Sequence, residues 1–212
     1  MPLRSQDREP LALLAVWLAL AATSLALGPR HGVSVWLLEA GPVLLGLAVL
    51  LPTYRGFRLT PLLYRLIFVH ACILLLGAHY TYAEVPLGEW TEQALGLQRN
   101  HYDRLGHFAQ GFVPALIVRE VLLRKGPLVR GKLLFFLVTC VCLAISAFYE
   151  LLEWWTAVAQ GGSVAEDFLG SQGDPWDAQW DMFMCLLGAL TSQLALGWLH
   201  DRHLERLGQA AA

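Results

Sequence analysis

The sequence has few charged residues. Aspartate, glutamate, lysine and arginine make up 15% of its 212 residues, whereas an average soluble domain carries about 25%. Hydrophobic residues make up 56% of the chain, and the mean hydropathy is +0.49. This composition excludes an ordinary soluble domain. Because a helix needs roughly 17 to 25 apolar residues to cross a bilayer, we predict an all-α polytopic membrane protein with six transmembrane helices in one bundle, at residues 11–27, 33–51, 62–80, 105–123, 133–155 and 180–199.

Several other signals are absent. The chain has no internal repeat, no low-complexity stretch, no P-loop, no Ser–His dyad and no nucleic-acid signature, so nucleic acid is not an expected partner. The connections between the predicted helices are too short for a separate soluble domain, so residues 1–212 are predicted to form one integral-membrane domain. All four cysteines fall inside apolar segments, which predicts that none forms a disulfide: Cys72, Cys140, Cys142 and Cys185.

The first apolar segment has two interpretations. Arg4 and Arg8 precede it, and Ser24-Leu25-Ala26 resembles a cleavage site, as in a secretory signal peptide. Asp7 and Glu9 dilute the basic region, and the apolar run is long for a signal peptide. We therefore predict an uncleaved helix.

Basic residues concentrate on one side of the predicted bundle. Six spans put twelve of the 15 lysines and arginines on the side of both termini and leave Arg30, Arg99 and Arg104 on the other. Because positively charged connections stay in the cytoplasm, we predict a bacterial inner-membrane protein with both termini cytoplasmic. Acids collect on the exoplasmic face with six tryptophans that are typical of an interfacial belt: Trp36, Trp90, Trp154, Trp155, Trp176 and Trp180.

Three polar clusters stand at the exoplasmic ends of the last three predicted helices. Their sequences are HYDRLGHF at 101–108, YELLEWW at 149–155 and GDPWDAQWD at 173–181. A spacing of three or four residues puts two side chains on one helix face. Because the clusters lie at one depth, their side chains are expected to converge. Carboxylates and imidazoles are ligands for divalent metals in helical bundles, so we predict a metal site of Asp103, His107, Glu150, Glu153, Asp177 and Asp181.

Roles follow from the chemistry of these groups. His107, Glu150 and Asp177 are the candidate catalytic residues, because one carboxylate or the imidazole would act as a base. Arg104 and Asp174 are the candidate substrate-binding residues, and Arg104 would either hold a phosphate or neutralise an acid.

Each polar residue also has a simpler interpretation. Asp103 and Asp177 could be helix N-caps, whereas Glu150 and Glu153 oppose the dipole at a helix C-terminus, which favours a paired or functional role. The connection 161–173 either covers the site or is a plain connector. The weaker candidates are Glu39 and His79, which could join the site, then His70, Gln110 and Gln193 as interhelical hydrogen-bond residues, and Arg119 and Glu120 as headgroup contacts.

Three classes of function fit these residues. The leading one is a divalent-metal-dependent activity on a lipid or lipid-linked envelope substrate, in which the metal polarises a phosphoryl oxygen or activates water. The second is a non-catalytic envelope partner or stress-response protein whose acids bind another protein. The third is a cation-coupled transporter, which is disfavoured because transporters place polar groups and broken helices near the midplane.

The three motifs also carry a resemblance. The strings DRLGHFAQGF, FYELLEWW and FLGSQGDPWDAQWDM resemble the YjdF-type bacterial inner-membrane family, over about residues 30–200. That resemblance implies an integral inner-membrane protein of unknown function.

A looser similarity is to VanZ-like proteins, which are linked to glycopeptide resistance. Asp103-Arg104-x-x-His107-Phe108, Glu150-x-x-Glu153 and Asp177-x-x-x-Asp181 match their motifs in order. Glu153 and Asp181 depart from the Gln and Asn of that pattern. Both departures add negative charge, which favours cation binding here and puts a shared substrate in doubt.

Overall fold

The structure, a computed structural model, describes residues 5–160 and 171–211. Over these residues the chain forms eight α-helices, two short 3-10 helices and no strand, which confirms the predicted all-α fold. The 3-10 helices are Ser5–Asp7 and Tyr82–Glu84. The α-helices are α1 (Arg8–Leu27), α2 (Gly32–Glu39), α3 (Gly41–Thr53), α4 (Pro61–Tyr80), α5 (Pro86–Leu95), α6 (Tyr102–Lys125), α7 (Lys132–Gln160) and α8 (Asp177–Ala211).

Four of the described helices are long and apolar enough to cross a membrane: α1, α4, α7 and α8. The pair α2 and α3 makes a fifth span if the two cross together, with a bend of 54° between them. The predicted single helix at 33–51 is therefore a broken one. Pro42 lies in the first turn of α3, where its missing amide hydrogen and its ring cost nothing, whereas inside a helix they remove a hydrogen bond and favour a kink.

The predicted span at 105–123 forms α6, which is less apolar than those four helices because it carries charged and polar residues. α6 packs against α4, α7 and α8. Its exposed residues are Leu105, Val121, Arg124 and Lys125. A helix surrounded by protein can carry polar groups that would be costly against lipid, which explains why its composition differs from that of its neighbours.

Close approach of two helices organises the bundle. A Cβ atom at Gly111 of α6 would overlap the carbonyl oxygen of Cys185, and one at Gly188 of α8 would overlap that of Phe108. Small residues let transmembrane helices pack backbone to backbone. The contact holds α6 and α8 in one register along their length.

That register defines two ends of the molecule. α6 and α8 both begin at the end that holds Asp103 and Asp181, here called the acidic end. Both approach the opposite end at Glu120 and His200, here called the basic end. Between them lies an apolar core that α6, α7 and α8 share: Ala115, Leu134, Val138, Cys142, Cys185 and Ala189.

Candidate functional site

Acidic and imidazole side chains from three helices meet at the acidic end. On α6, His107 Nε2 lies 3.5 Å from Asp103 Oδ1. His107 Nδ1 lies 3.6 Å from Glu150 Oε1 of α7. Three potential ligand atoms lie within 4.8 Å of one another, one each from Asp103, His107 and, on α8, Asp181. With the neighbouring Glu153 of α7, these residues form what we call the central cluster: Asp103, His107, Glu150, Glu153 and Asp181.

The central cluster has more acids than bases. Its four carboxyl groups interact electrostatically with one another, and His107 and Asp181 are buried. Glu150 Oε1 and Asp181 Oδ1 have no hydrogen-bond partner in the described part of the chain. Like charges repel strongly away from water, so such a cluster is stable only when protons or a cation neutralise part of its charge.

A hydrogen bond fixes the imidazole of His107. Its Nδ1 lies 2.9 Å from Gln110 Oε1. An amide oxygen only accepts hydrogen bonds, so Nδ1 donates to it, and in the neutral imidazole Nε2 then presents its lone pair to Asp103. Histidines that bind metals usually donate their other N–H to such an acceptor.

A cavity adjoins the central cluster. It is a small cavity of about 40 Å³. The polar residues that line it extend from the cluster toward the middle of the bundle: His70, Tyr82, Asp103, His107, Gln110, Tyr149 and Glu153. Sequence reasoning did not place Tyr82 or Tyr149 here, and it assigned His70 to an interhelical hydrogen bond. His70 Nε2 instead lacks a hydrogen-bond partner within the described residues.

Two arginines bind the remaining predicted acids. Arg99 Nη1 donates to Asp177 Oδ1 at 2.6 Å and reaches Asp174 Oδ2 at 3.4 Å. Arg104 Nη2 donates to the same Asp174 oxygen at 2.9 Å, and its guanidinium lies 5.1 Å from the centre of the Trp180 ring. We call these four charged residues the arginine cluster: Arg99, Arg104, Asp174 and Asp177. Arg99, which is buried, was not among the predicted site residues.

The connection before α6 positions Arg99. Gln172 exchanges two hydrogen bonds with the backbone of Asn100, both of 2.9 Å. The Asn100 side chain also donates to the Val85 carbonyl oxygen and accepts from the Tyr102 amide. These bonds join the connection to α5 and to the segment before α8. Burial, with the guanidinium groups of Arg104 and Arg99, lowers the pKa of the neighbouring His101, so its imidazole is neutral at pH 7.

Four residues with alternative interpretations from the sequence have defined positions in the structure. Asp103 and Asp177 are not N-caps, because Asp103 lies in the first turn of α6 after the capping residue His101, and Asp177 is the first residue of α8. His79 does not join the central cluster; its Nδ1 lies 3.0 Å from Ser24 Oγ. Glu39 is buried at the α2–α3 break and interacts electrostatically with Glu153.

The tryptophan belt stays a prediction, with which five of the six side chains are compatible because they are exposed. Trp36 is buried and donates to Ser24 Oγ. The other five are exposed: Trp90, Trp154, Trp155, Trp176 and Trp180. All four cysteines are free, as predicted. The acids Glu166 and Asp167, and most of the connection 161–173, lie outside the described residues.

Known proteins are similar to this chain over most of its length. Residues 10–202 match the family described as "Predicted membrane protein (DUF2238)". The chain belongs to this family. It is 57% identical over 179 residues to the inner membrane protein YjdF of Escherichia coli strain K12, an alignment that covers 84% of this chain and 85% of that protein. No solved structure matches it. The resemblance to YjdF-type proteins is thereby confirmed, and the chain is a multi-pass inner-membrane protein; the similarity to VanZ-like proteins stays a prediction.

This DUF2238 chain has a second buried polar cluster at the basic end. Glu120 Oε2 lies 3.0 Å from His200 Nε2, and Arg119 Nη1 lies 3.0 Å from His200 Nδ1. Glu120 also accepts from Arg124 and from the Thr60 amide. The prediction that Arg119 and Glu120 contact lipid headgroups was wrong, because both are buried. His200 gave no signal in the sequence, since it lies 80 residues from Glu120 and follows an apolar run.

Proposed function

We propose that the acidic end is a divalent-cation site and that it serves a metal-dependent activity on a lipid or lipid-linked envelope substrate. The observation that carries the proposal is the proximity of Asp103, His107 and Asp181, whose ligand atoms lie within 4.8 Å of one another. Two carboxylates and one imidazole are suitable donors for ions such as Mn²⁺ or Zn²⁺. Donors about 2.1 Å from one ion lie about 3.0–3.5 Å apart, so binding requires only a small contraction.

The environment of these three residues supports the proposal. Glu150 and Glu153 add carboxylates beside them, and Gln110 orients the imidazole. Asp177 is occupied by Arg99 at 2.6 Å, so it would act near the cation and not as a ligand of it. A bound ion would compensate the excess negative charge and would polarise a phosphoryl oxygen or activate water in the adjoining cavity.

The substrate class follows from depth in the membrane. We propose six spans: the four long apolar helices, the bent pair α2 and α3 as one broken span, and α6 as the sixth. Both termini would then be cytoplasmic. The acidic end would then face the exoplasm. Exposed tryptophans around it, such as Trp154, Trp176 and Trp180, are typical of the headgroup region. A substrate that reaches the cavity from this depth is a lipid or is attached to one.

The test is the metal content of the full chain, purified in a non-chelating buffer. We expect about one ion per chain in the wild type and a loss in Asp181→Asn and Glu153→Gln. Glu89→Gln removes the same charge from α5, which is outside the central cluster, and should retain the ion. Absence of any bound ion, after supplementation with Mg²⁺, Mn²⁺, Ca²⁺ and Zn²⁺, would refute the proposal.

One observation favours a cation-coupled transporter as the second candidate. The buried Glu39 ends α2 at the break before α3 and interacts electrostatically with Glu153 and with Tyr82 and Tyr149 of the cavity. Transporters use broken helices whose polar groups bind the substrate or the coupling ion. A transporter would move a cation into proteoliposomes, and Glu39→Gln would abolish that uptake. A cation site without uptake favours the metal-dependent activity.

A further inference from the structure

We propose that Arg99 and Arg104 form a binding site for a phosphate group, and that the carboxylate of Asp174 occupies this site until a phosphate displaces it. The inference rests on the proposed function, since the phosphate would belong to the substrate of the central cluster. Both guanidinium groups interact electrostatically with Asp103, so a phosphate held there would lie close to the cation site.

The hydrogen bonds of the two arginines are incomplete. One oxygen of Asp174, Oδ2, accepts from both guanidinium groups. Arg99 is 9% exposed, yet its Nε and Nη2 have no hydrogen-bond partner in the part of the chain that the structure describes, and neither has Arg104 Nε. A guanidinium has five N–H donors. A phosphate offers more oxygens than a carboxylate and binds arginines in a bidentate way, so it would satisfy donors that Asp174 leaves free.

Asp174 and Asp177 differ in how they are held. Asp177 begins α8 and binds Arg99 at 2.6 Å, so it would keep Arg99 in position. Asp174 lies in the connection that precedes α8, where its other oxygen accepts from the Trp176 amide. Its carboxylate can therefore leave the arginines without unwinding a helix.

The surroundings indicate where the phosphate comes from. Arg104 stacks on Trp180, and both Trp180 and Trp176 are exposed. Exposed tryptophans are typical of the headgroup region of a membrane, where phosphate groups of lipids are concentrated. Free phosphate carries the same group, and the two sources are separated by experiment.

The experiment uses the full chain in a phosphate-free maltoside detergent with chelator present. Native mass spectrometry counts bound inorganic phosphate in one arm and bound phosphatidic acid in the other. Asp174→Asn removes the competing charge but keeps an oxygen for the Trp176 amide. We expect this variant to bind phosphate groups about tenfold more tightly than the wild type, the scale of one charge-assisted hydrogen bond. Adding Arg104→Gln or Arg99→Gln should reverse the gain.

The control is Glu89→Gln, which removes one negative charge from neighbouring α5 and should leave binding unchanged. A gain for phosphatidic acid alone would assign the site to lipid, and a gain for both probes would show that the phosphate group suffices. If Asp174→Asn does not fold, Asp174→Ser also keeps an acceptor for Trp176. Binding that does not rise in a folded variant, or a rise that survives loss of both arginines, would overturn the proposal. Because the assay contains chelator, absence of a cation site would refute the proposed function without changing this result.

Discussion

At the scale of single residues, His107 shows what sequence spacing can and cannot predict. The i, i+4 spacing to Asp103 correctly placed both side chains on one face of α6. The sequence did not indicate that Gln110 binds the Nδ1 side of the ring. A spacing of three residues brings two side chains close together in a helix but does not show whether they form a hydrogen bond. The pairing of Asp177 with Arg99 was also missed, since it joins the first turn of α8 to the connection before α6, 78 residues away in sequence.

Gln110 tests the cation site without removing a ligand. Gln110→Leu removes the acceptor that fixes the His107 tautomer, and we expect the affinity for Mn²⁺ to fall about 10–100-fold, as for other residues that orient a ligand. Isothermal titration of the purified chain measures this affinity. Gln193→Leu is the matched control, because Gln193 binds Thr139 and not the site. Equal affinities for the two variants would contradict the role of Gln110.

Glu120 tests the polar cluster at the basic end. Glu120→Gln removes the buried carboxylate that pairs with His200 and Arg124, whereas Arg119 keeps Asp201. We expect the free energy of unfolding to fall by about 3–5 kcal/mol, as when one partner of a buried ion pair is removed. Glu205→Gln removes an exposed acid near Arg130 and should cost at most about 1 kcal/mol. Denaturant unfolding in mixed micelles measures both, and similar losses would count against a stabilising cluster.

At the scale of elements, hydropathy predicted where helices occur but not how they are shaped. All six predicted segments are helical, yet 33–51 is bent at Ala40 and α6 is less apolar than the four long span candidates. Apolar runs report contact with lipid. They do not predict the break beside Pro42, nor that α6 is enclosed by α4, α7 and α8.

The contact between α6 and α8 makes a prediction about glycine. Gly111→Ala would place a methyl group against the Cys185 carbonyl, and we expect overpacking to cost about 1–3 kcal/mol of stability. Gly197 lies in α8 of the same helix pair, and a Cβ atom added there would have no other atom within 4 Å. Gly197→Ala is therefore the matched control. It should be neutral or stabilise by up to about 1 kcal/mol, because alanine favours helix. A thermal melt that ranks the variants the other way would contradict the proposed packing.

At the scale of the whole molecule, the distribution of lysine and arginine supports the proposed membrane topology. Cysteines introduced at Gln98 and Val129 flank α6, and one at Gly56 lies before α4. We expect a membrane-impermeant maleimide to label Gln98→Cys from the exoplasmic side of intact cells, and Gly56→Cys and Val129→Cys only after permeabilisation. Wild-type chain is the control for the four native cysteines. Labelling of Val129→Cys in intact cells would show that α6 does not cross.

Much of the architecture could therefore be predicted from sequence, because the membrane restricts a chain to apolar helices. The acidic end followed from helical periodicity and from a common depth for Asp103, Glu150 and Asp181. The buried Glu120–His200 pair and the role of Arg99 could not be predicted, because they depend on which helices are neighbours. That information lies in packing, such as the Gly111–Gly188 contact, and leaves little trace in one sequence.

The central claim is that the central cluster binds a divalent cation through His107. The most direct measurement is the electron spin echo modulation of Mn²⁺ bound to the purified chain. We predict one Mn²⁺ per chain, with the coupling of a single ¹⁴N nucleus that disappears in His107→Gln. Stoichiometric Mn²⁺ without nitrogen coupling in the wild type, or no bound Mn²⁺, would contradict the account.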